Sequence, residues 1–210
     1  MSKSLEIIKR LNKTYPDIAG TALSFENPLE MLVSTILSAQ CTDVRVNKVT
    51  EHLFKKYKKP KDYYLSKDLE KDIRSTGFYR NKAKNIRGAC KLIDEKFGGK
   101  VPKTMEQLVE LPGVARKTAN IVLGNSFGIV EGIAVDTHVR RLSFRLGLTR
   151  NTDPVKIEQD LMKLYPKKEW FDLSNLLIEH GRKICKAPTP FCSKCFLSDI
   201  CPRNGVIKSK

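Results

Sequence analysis

Apolar residues recur along most of the chain at intervals of three and four positions. Near the N-terminus Leu5, Ile8 and Leu11 follow this spacing, and residues 28–39 and 80–97 present broader apolar faces. This is the period of an amphipathic helix, and no stretch shows the sustained alternation of a half-buried strand. The pattern therefore predicts an all-α chain of about nine or ten helices, followed by a short irregular segment at the C-terminus.

Small polar residues and glycine mark several predicted helix ends. Asp43, Thr104, Asp136 and Asp153 each stand at or before the start of an apolar periodic run. A side-chain oxygen at such a position can accept a backbone N–H bond as an N-cap. Gly147 follows one of these runs and favours a helix end, because glycine adopts the left-handed conformation readily. The sequence thus predicts four capped helix starts.

The net positive charge of the chain indicates that this helical protein has an anionic partner. Lysine and arginine number 39 against 23 acidic residues, which gives a net charge of +16. Nucleic acid is the leading candidate, because phosphate neutralisation releases counterions. An anionic membrane is disfavoured because the basic residues are spread along the chain and do not form one amphipathic anchor. A generally basic protein without a specific partner is the third interpretation.

The sequence lacks the signals of a membrane or secreted protein. No apolar run reaches the ~18–20 residues that a membrane-spanning helix needs. The N-terminal stretch MSKSLEIIKRLNK has no apolar core of a secretory signal. With 210 residues the chain has room for one or two domains. We expect a soluble intracellular protein, in the cytoplasm or nucleoid if its source is prokaryotic, with no membrane partner.

A short motif, LPGVARKTA at residues 111–119, combines a tight turn with the start of a helix. Pro112 and Gly113 form the predicted turn, and the helix should cover about residues 115–126. The backbone N–H groups of residues 113–116 would then be unpaired donors at the positive end of a helix, which is a site for phosphate. The alternative is an ordinary connection between helices that is packed only for stability.

Lys117 stands in the first turn of that predicted helix. The helix dipole disfavours a cation there, and the neighbouring Arg116 acts in the same direction, so the amine should lose its proton more easily. A neutral lysine amine can attack a sugar carbon and form a Schiff base. The alternative is a lysine that clamps a phosphate or is simply solvated.

Asp136, within the motif AVDTHVRR, invites a similar pair of interpretations. As an N-cap its carboxylate accepts backbone N–H bonds and stays ionised, which is a sufficient structural role. The same cap can also hold a negative charge near a reacting sugar, where it would stabilise a developing oxocarbenium ion and assist proton transfer.

Four of the six cysteines crowd the C-terminus with the spacing C-x6-C-x2-C-x5-C, namely Cys185, Cys192, Cys195 and Cys201. Without a secretory signal, disulfides are disfavoured. Four thiolates in one short segment can surround a zinc ion or a [4Fe-4S] cluster, and the spacing alone does not separate the two.

The hairpin motif, the VDTH motif and the cysteine spacing occur in the order found in the endonuclease III family of DNA glycosylases, which the chain resembles from about residue 20 to Cys201. The family's usual hairpin is LPGVGRKTA, so Ala115 stands where a glycine is usual. The resemblance implies that Lys117 is the catalytic lysine that attacks C1′ of the damaged nucleoside and that Asp136 is the catalytic aspartate. It also implies that the four cysteines hold a [4Fe-4S] cluster.

The resemblance further implies a two-lobed helix-hairpin-helix DNA glycosylase fold with a C-terminal iron–sulfur cluster loop. Residues 22–133 would form a six-helix barrel domain with the helix-hairpin-helix at about 104–126. Residues 1–21 together with 134–210 would form the iron–sulfur cluster domain. DNA and the flipped base would lie in the cleft between the domains.

Two further segments resemble the parts of the family that open DNA. In SAQCTD, Gln40 would fill the space that the flipped base leaves, and in TGFYRNKAKNI, Phe78 would be the apolar wedge, where leucine is frequent. Core packing is the alternative for Tyr79, and motif packing is the alternative for His138. The other expected DNA contacts are Tyr79, Leu111, Gly113, Ala115, Arg116, His138, Lys186 and Lys194.

The implied activity is that of a bifunctional DNA glycosylase and AP lyase of base excision repair. It would act as a monomer on double-stranded DNA with a damaged base or an abasic site. It would remove oxidised pyrimidines and nick the strand by β-elimination through a lysine Schiff base. One alternative is a mismatch-specific or adenine glycosylase of the same superfamily, whose members generally lack the lysine. Another is a non-catalytic DNA-binding module.

Overall fold

The computed structural model describes residues 2–18 and 20–210, so that Met1 and Ala19, which fall in the predicted 1–21 segment, lie outside the described residues. In those ranges the chain forms eleven α-helices and three short 3-10 helices and no strand, which confirms the all-α prediction. No helix of the described part has the length and apolar character needed to cross a membrane.

The α-helices are α1 Lys3–Thr14, α2 Pro28–Leu37, α3 Asp43–Lys56, α4 Pro60–Leu65, α5 Leu69–Asp72, α6 Tyr79–Phe97, α7 Met105–Val109, α8 Arg116–Phe127, α9 Thr137–Arg145, α10 Pro154–Leu164 and α11 Trp170–Lys183. The 3-10 helices are Arg74–Thr76, Lys167–Glu169 and Cys192–Lys194. The predicted count was low because α4, with six residues, is too short to show a helical period.

The chain divides into two compact units, each with its own hydrophobic core. Unit 1 comprises the described residues of Met1–Gly20 and Gly132–Lys210, and unit 2 comprises Thr21–Glu131. In unit 2, helix α2 has eight of its ten residues buried, five of them apolar and three polar. It packs against α3, α6 and α8, so the ends of these helices are fixed relative to one another.

Side-chain caps set several helix starts. Asp136 Oδ1 accepts a hydrogen bond from Val139 N at 2.8 Å, and Asp153 and Thr104 cap α10 and α7 in the same way, as predicted. The predicted cap at Asp43 is wrong. Thr42 Oγ1 accepts from the amide of Arg45 at 3.3 Å, and α3 begins at Asp43. An N-cap residue stands just before the first helical residue, and its side-chain oxygen accepts from an amide two or three residues ahead. Since α3 begins at Asp43, the preceding Thr42 is the N-cap.

Candidate functional site

The turn between α7 and α8 requires a glycine and is anchored in the core of unit 2. Gly113 has φ of 79°, and a Cβ there would lie 2.8 Å from the side chain of Asn85 on α6. On either side, Leu111 and Val114 are only 2% and 5% exposed. The apolar packing of these two side chains therefore anchors the turn in the core of unit 2. Because the Leu111 side chain is in the core, a DNA contact by this residue is restricted to its main chain.

The main chain of the turn corrects one prediction. The amide of Val114 donates to the carbonyl of Leu111 at 3.0 Å, so it is not an unpaired donor as expected for residues 113–116. Helix α8 begins at Arg116, and Ala115 is its N-cap residue without a side-chain cap bond. Ala115 has φ of −89° and ψ of 169°, which is extended backbone open to any L-residue. Alanine therefore replaces the usual glycine without backbone strain.

Lys117 is the second residue of α8, and its side chain is exposed. The first main-chain bond of the helix runs from the amide of Ala119 to the carbonyl of Ala115 at 3.0 Å. Lys117 thus lies in the turn where amide groups precede the hydrogen-bonded part of the helix, at its positive end. This placement agrees with the sequence prediction of a lysine in the first turn.

Gln40 and Phe78 have the same unusual backbone conformation. Their φ values are 51° and 47°, and among the described non-glycine residues only Arg203 also has a positive φ. A non-glycine residue in this region is held there at a cost of about 1–3 kcal/mol by its surroundings. Phe78 is 64% exposed, which is high for a large apolar side chain. Both residues are therefore presented to the exterior by a backbone that the fold constrains.

One cavity of unit 2 brings together residues that the sequence analysis had assigned from separate segments. Its volume is about 270 Å³, and Gln40, Phe78 and Gly113 line it. The other lining residues are Thr35, Ile36, Ala39, Asn81, Lys82, Asn85 and Thr118. The sequence analysis did not single out Asn81, Lys82 or Asn85, which lie in one predicted helix. No local pattern marks the two asparagines, whereas Lys82 lies on the apolar face of that helix.

Tyr79 is the first residue of α6 and packs partly against the core of unit 2. Arg74 and Arg80 place their guanidinium carbons 5.9 and 5.6 Å from the centre of its ring. Such contacts with an aromatic face are attractive. This geometry favours the packing interpretation of Tyr79.

In unit 1, His138 is held in place by the helix that follows Asp136. The Nη2 group of Arg141 lies 3.1 Å from His138 Nδ1, and a Cβ on Gly181 would lie 2.7 Å from the same nitrogen. Because a guanidinium only donates hydrogen bonds, Nδ1 must be the acceptor in this pair. His138 therefore packs tightly between α9 and α11, as one of its two interpretations expected.

Two arginines on α9 hold the segment that carries the first cysteine. Arg141 donates from Nε and Nη2 to the carbonyl of Cys185 at 3.2 and 3.1 Å. Arg145, which is 7% exposed, donates from Nη1 to the carbonyl of Lys186 at 2.9 Å and to Cys185 Sγ at 3.4 Å. The helix that Asp136 caps is thus tied to the cysteine segment. These arginines were not predicted, because their partners lie about 40 residues away in sequence.

The four C-terminal cysteines line one cavity and form no disulfide in the described chain. His180 lies beside them, with Nε2 3.4 Å from Cys195 Sγ and Nδ1 3.0 Å from the hydroxyl of Tyr15. Burial lowers the pKa of His180 to about 4 and raises the pKa of the Cys195 thiol to about 11. Four thiol sulfurs in one cavity are a donor set that suits either a zinc ion or an iron–sulfur cluster. No described group of three His, Cys, Asp or Glu is arranged for a single metal ion.

Lys186 and Lys194 are exposed on the segment that the cysteines bracket. The Lys186 ammonium lies 5.4 Å from the ring centre of Phe191, and Lys194 ends the 3-10 helix Cys192–Lys194. Both side chains are open to solvent, and the expected contact with phosphate stays a prediction.

Comparison with known proteins gives the site a context. The sequence model described as "HhH-GPD superfamily base excision DNA repair protein" matches residues 33–167. Endonuclease III of Synechocystis sp. is 54% identical over 202 residues, which cover 95% of this chain and 92% of that relative. Endonuclease III of Bacillus subtilis is 50% identical over 195 residues, which cover 91% of this chain and 88% of that relative.

Two solved structures have nearly the same fold. A non-covalent endonuclease III–DNA complex matches with a TM-score of 0.91 and 45% identity over 97% of this chain and 96% of that one. A trapped endonuclease III–DNA covalent intermediate, an estranged-adenine complex, matches with a TM-score of 0.90 and 45% identity over 97% of both chains.

Proposed function

Since the chain belongs to the endonuclease III family of the HhH-GPD superfamily, it is a bifunctional DNA glycosylase and AP lyase of base excision repair, and we propose that it removes oxidised pyrimidines through Lys117 and Asp136. The observation that carries this proposal is the exposed Lys117 amine in the first turn of α8, directly after the hairpin. The covalent DNA intermediate of a relative that is 45% identical supports the same kind of step in this chain.

The first step is displacement of the base. The neutral amine of Lys117 attacks C1′ of the damaged nucleoside, and the glycosidic bond breaks with its electron pair leaving on the base. The role proposed for Asp136 is electrostatic, with its negative charge stabilising the positive charge that develops at C1′. Its hydrogen bond from the Val139 amide holds the carboxylate in one orientation.

The second step cuts the strand. Opening of the sugar ring converts the C1′–Nζ adduct into a Schiff base. A base then removes a proton from C2′, and the C3′–O bond breaks with its electron pair leaving on the 3′ phosphate. Water hydrolyses the resulting unsaturated imine and restores the Lys117 amine.

Phosphate contacts position the substrate in this proposal. The exposed main chain at Gly113 and Ala115, with the amides that open α8, binds the sugar-phosphate backbone. Lys186 and Lys194 add contacts from the cysteine segment, and Arg116 completes the set. Because these groups meet phosphate and not base edges, they fix the register of the DNA and leave the choice of base to the pocket.

We assign opening of the duplex to Gln40 and Phe78, which both have positive φ. A base inside a helix must be extruded before an enzyme can act on it, and the space it leaves must be filled. Phe78 is exposed and apolar and acts as the wedge between base pairs, while Gln40 enters the vacated space. Both line the same cavity of unit 2, which supports a shared role.

The lesion preference is open to a direct test against the alternatives. Cleavage rates of the native protein would be compared on duplexes that carry thymine glycol, a G·T mismatch or adenine opposite 8-oxoguanine. We expect kcat/KM to be at least about 100-fold higher on thymine glycol, with a nicked product that ends in an unsaturated aldehyde. Highest activity on the mismatch would assign the chain to the mismatch-specific alternative. Tight binding without release of any base would indicate a non-catalytic module.

We also propose that Cys185, Cys192, Cys195 and Cys201 hold a [4Fe-4S] cluster. Such a cluster would order the loop between the first two cysteines, which is too short to fold alone. The chain's own contribution is a set of donors to the sulfurs and carbonyls of this segment, from Arg145 and Arg141.

Replacing Cys192 with serine should reduce the iron content of anaerobically purified protein from about four atoms per chain and lower its melting temperature, because a structural metal site contributes to folding. Iron and sulfide analysis with thermal unfolding measures both effects. Cys41→Ser is the matched control, because Cys41 is a free thiol of unit 2 and should leave the iron content unchanged. Native protein that holds zinc and no iron would contradict the cluster proposal and support the zinc alternative.

A further inference from the structure

Lys82 is a lysine where the core of unit 2 would be expected to hold an apolar residue. It lies on α6 and is only 4% exposed. Its ammonium donates to the carbonyl of Leu37 at 2.8 Å and to the carbonyl of Thr76 at 2.7 Å. Both partners are main-chain oxygens. A buried ammonium is costly unless hydrogen bonds compensate it, so this residue is not an incidental surface charge.

The two carbonyls belong to the segments that present Gln40 and Phe78. Leu37 is the last residue of α2, three positions before Gln40, and its carbonyl lies at the negative end of that helix. Thr76 is the last residue of the 3-10 helix Arg74–Thr76, two positions before Phe78. One ammonium therefore joins the starting points of both segments.

The same two segments carry the unusual backbone of this unit. Gln40 and Phe78 have φ of 51° and 47°. Their side chains line one cavity together with the side chain of Lys82. Residues in this conformation persist only when their surroundings hold them. Burial lowers the pKa of Lys82, while the neighbouring Cys41 acts in the opposite direction. The ammonium gives directed bonds to two separate chain segments, which an apolar side chain of the same length cannot do.

We propose that Lys82 is a positioning residue that fixes the spacing between the Gln40 and Phe78 segments, so that both side chains enter an opened duplex together. This inference rests on the proposed roles of Gln40 and Phe78 in the proposed function. Lys82 does not touch the reacting sugar in this account. Its effect is therefore confined to substrates that must be opened.

The Lys82→Met variant tests this, because methionine keeps the chain length and removes both bonds. Cleavage would be measured on a duplex with thymine glycol, and borohydride trapping would be measured on a single strand with an abasic site. We expect kcat/KM on the duplex to fall about 10- to 100-fold and trapping on the single strand to stay within about threefold of native. With 2-aminopurine opposite the lesion, the fluorescence rise that reports unstacking should be lost as well. Phe78→Ala should show the same profile.

Arg87→Met is the matched control. Arg87 is a half-buried cation on the same helix, and it bonds Glu70 at 3.0 Å and the carbonyl of Ser66 at 3.1 Å, away from the two segments. It should lose stability without a duplex-specific defect. An equal loss of Lys82→Met on both substrates, or no loss on the duplex, overturns the inference. A native protein that traps no DNA at all defeats the proposed function instead.

Should Lys82→Met fail to fold, Gly77→Ala decides the question. Gly77 lies between Thr76 and Phe78 with φ of 70° and ψ of 156°, and a Cβ there would meet nothing within 4 Å. Alanine therefore changes only the backbone preference of the Phe78 segment. We expect the same loss on duplex and the same sparing of the single strand. An unchanged duplex rate or an equal loss on both substrates overturns the inference.

Discussion

The Lys117→Gln variant is expected to form no covalent adduct with abasic-site DNA under borohydride, and its rate of strand cleavage should fall by at least about 10³-fold. Glutamine is a polar, unbranched side chain one atom shorter than lysine, and Lys117 is exposed in the first turn of α8, so folding should be preserved. The loss follows from chemistry alone, because an amide cannot form a Schiff base. Gel analysis of trapped complexes and single-turnover cleavage measure the two effects.

Lys91→Gln is the control for the loss of one positive charge. Lys91 is an exposed lysine of the same unit, and its ammonium lies 3.8 Å from Glu95. It should trap DNA as the native protein does. Binding of uncleaved duplex by Lys117→Gln should remain within about tenfold of native, since one phosphate contact contributes modestly to a many-contact interface. Undiminished trapping by Lys117→Gln would place the nucleophile elsewhere in the chain.

The Asp136→Asn variant should lower the single-turnover rate of base release about 10²- to 10⁴-fold, the range that general acid–base and electrostatic groups contribute. Asparagine is as good an N-cap as aspartate, so the bond from the Val139 amide is retained and α9 should keep its start. The substitution thereby removes the charge without removing the cap. Rates on thymine glycol duplex and a thermal melt give the comparison.

Asp153→Asn repeats the same chemical change at a helix start without a proposed catalytic role. Asp153 Oδ1 accepts from the amide of Lys156 at 3.0 Å at the start of α10, in the same unit as Asp136. Both variants should melt close to the native protein, and only Asp136→Asn should be slow. If the two variants were equally active, Asp136 would be a structural cap and nothing more.

The sequence predicted well those features that depend on a few neighbouring residues. The caps at Asp136 and Thr104 need only an oxygen and an amide three positions on, and both were predicted correctly. The cap predicted at Asp43 was wrong, because Thr42, one position earlier, also carries a side-chain oxygen and accepts the hydrogen bond. Two candidate caps in succession compete, and the start of the helix decides between them.

Features that depend on distant partners could not be predicted in this way. The bonds of Arg141 and Arg145 to the Cys185 segment join residues about 40 positions apart, and the positive φ values of Gln40 and Phe78 leave no mark on the sequence. Lys82, by contrast, is marked in the sequence pattern. It stands in the helical register of buried Ile86 and Ile93 on α6, where a charged residue is out of place. A lysine on an apolar stripe is a signal that the pattern analysis could have used.

The backbone at Ala115 bears on how such hairpins are recognised in other chains. Because its φ is −89°, the position does not require glycine for its torsion angle. The requirement that remains is a small side chain at an exposed position, where the main chain is proposed to bind phosphate. A search pattern that insists on glycine here would reject this chain although its turn is built without strain. A better pattern accepts any small residue at position 115. It requires glycine at position 113, where φ is 79° and a Cβ would collide with Asn85.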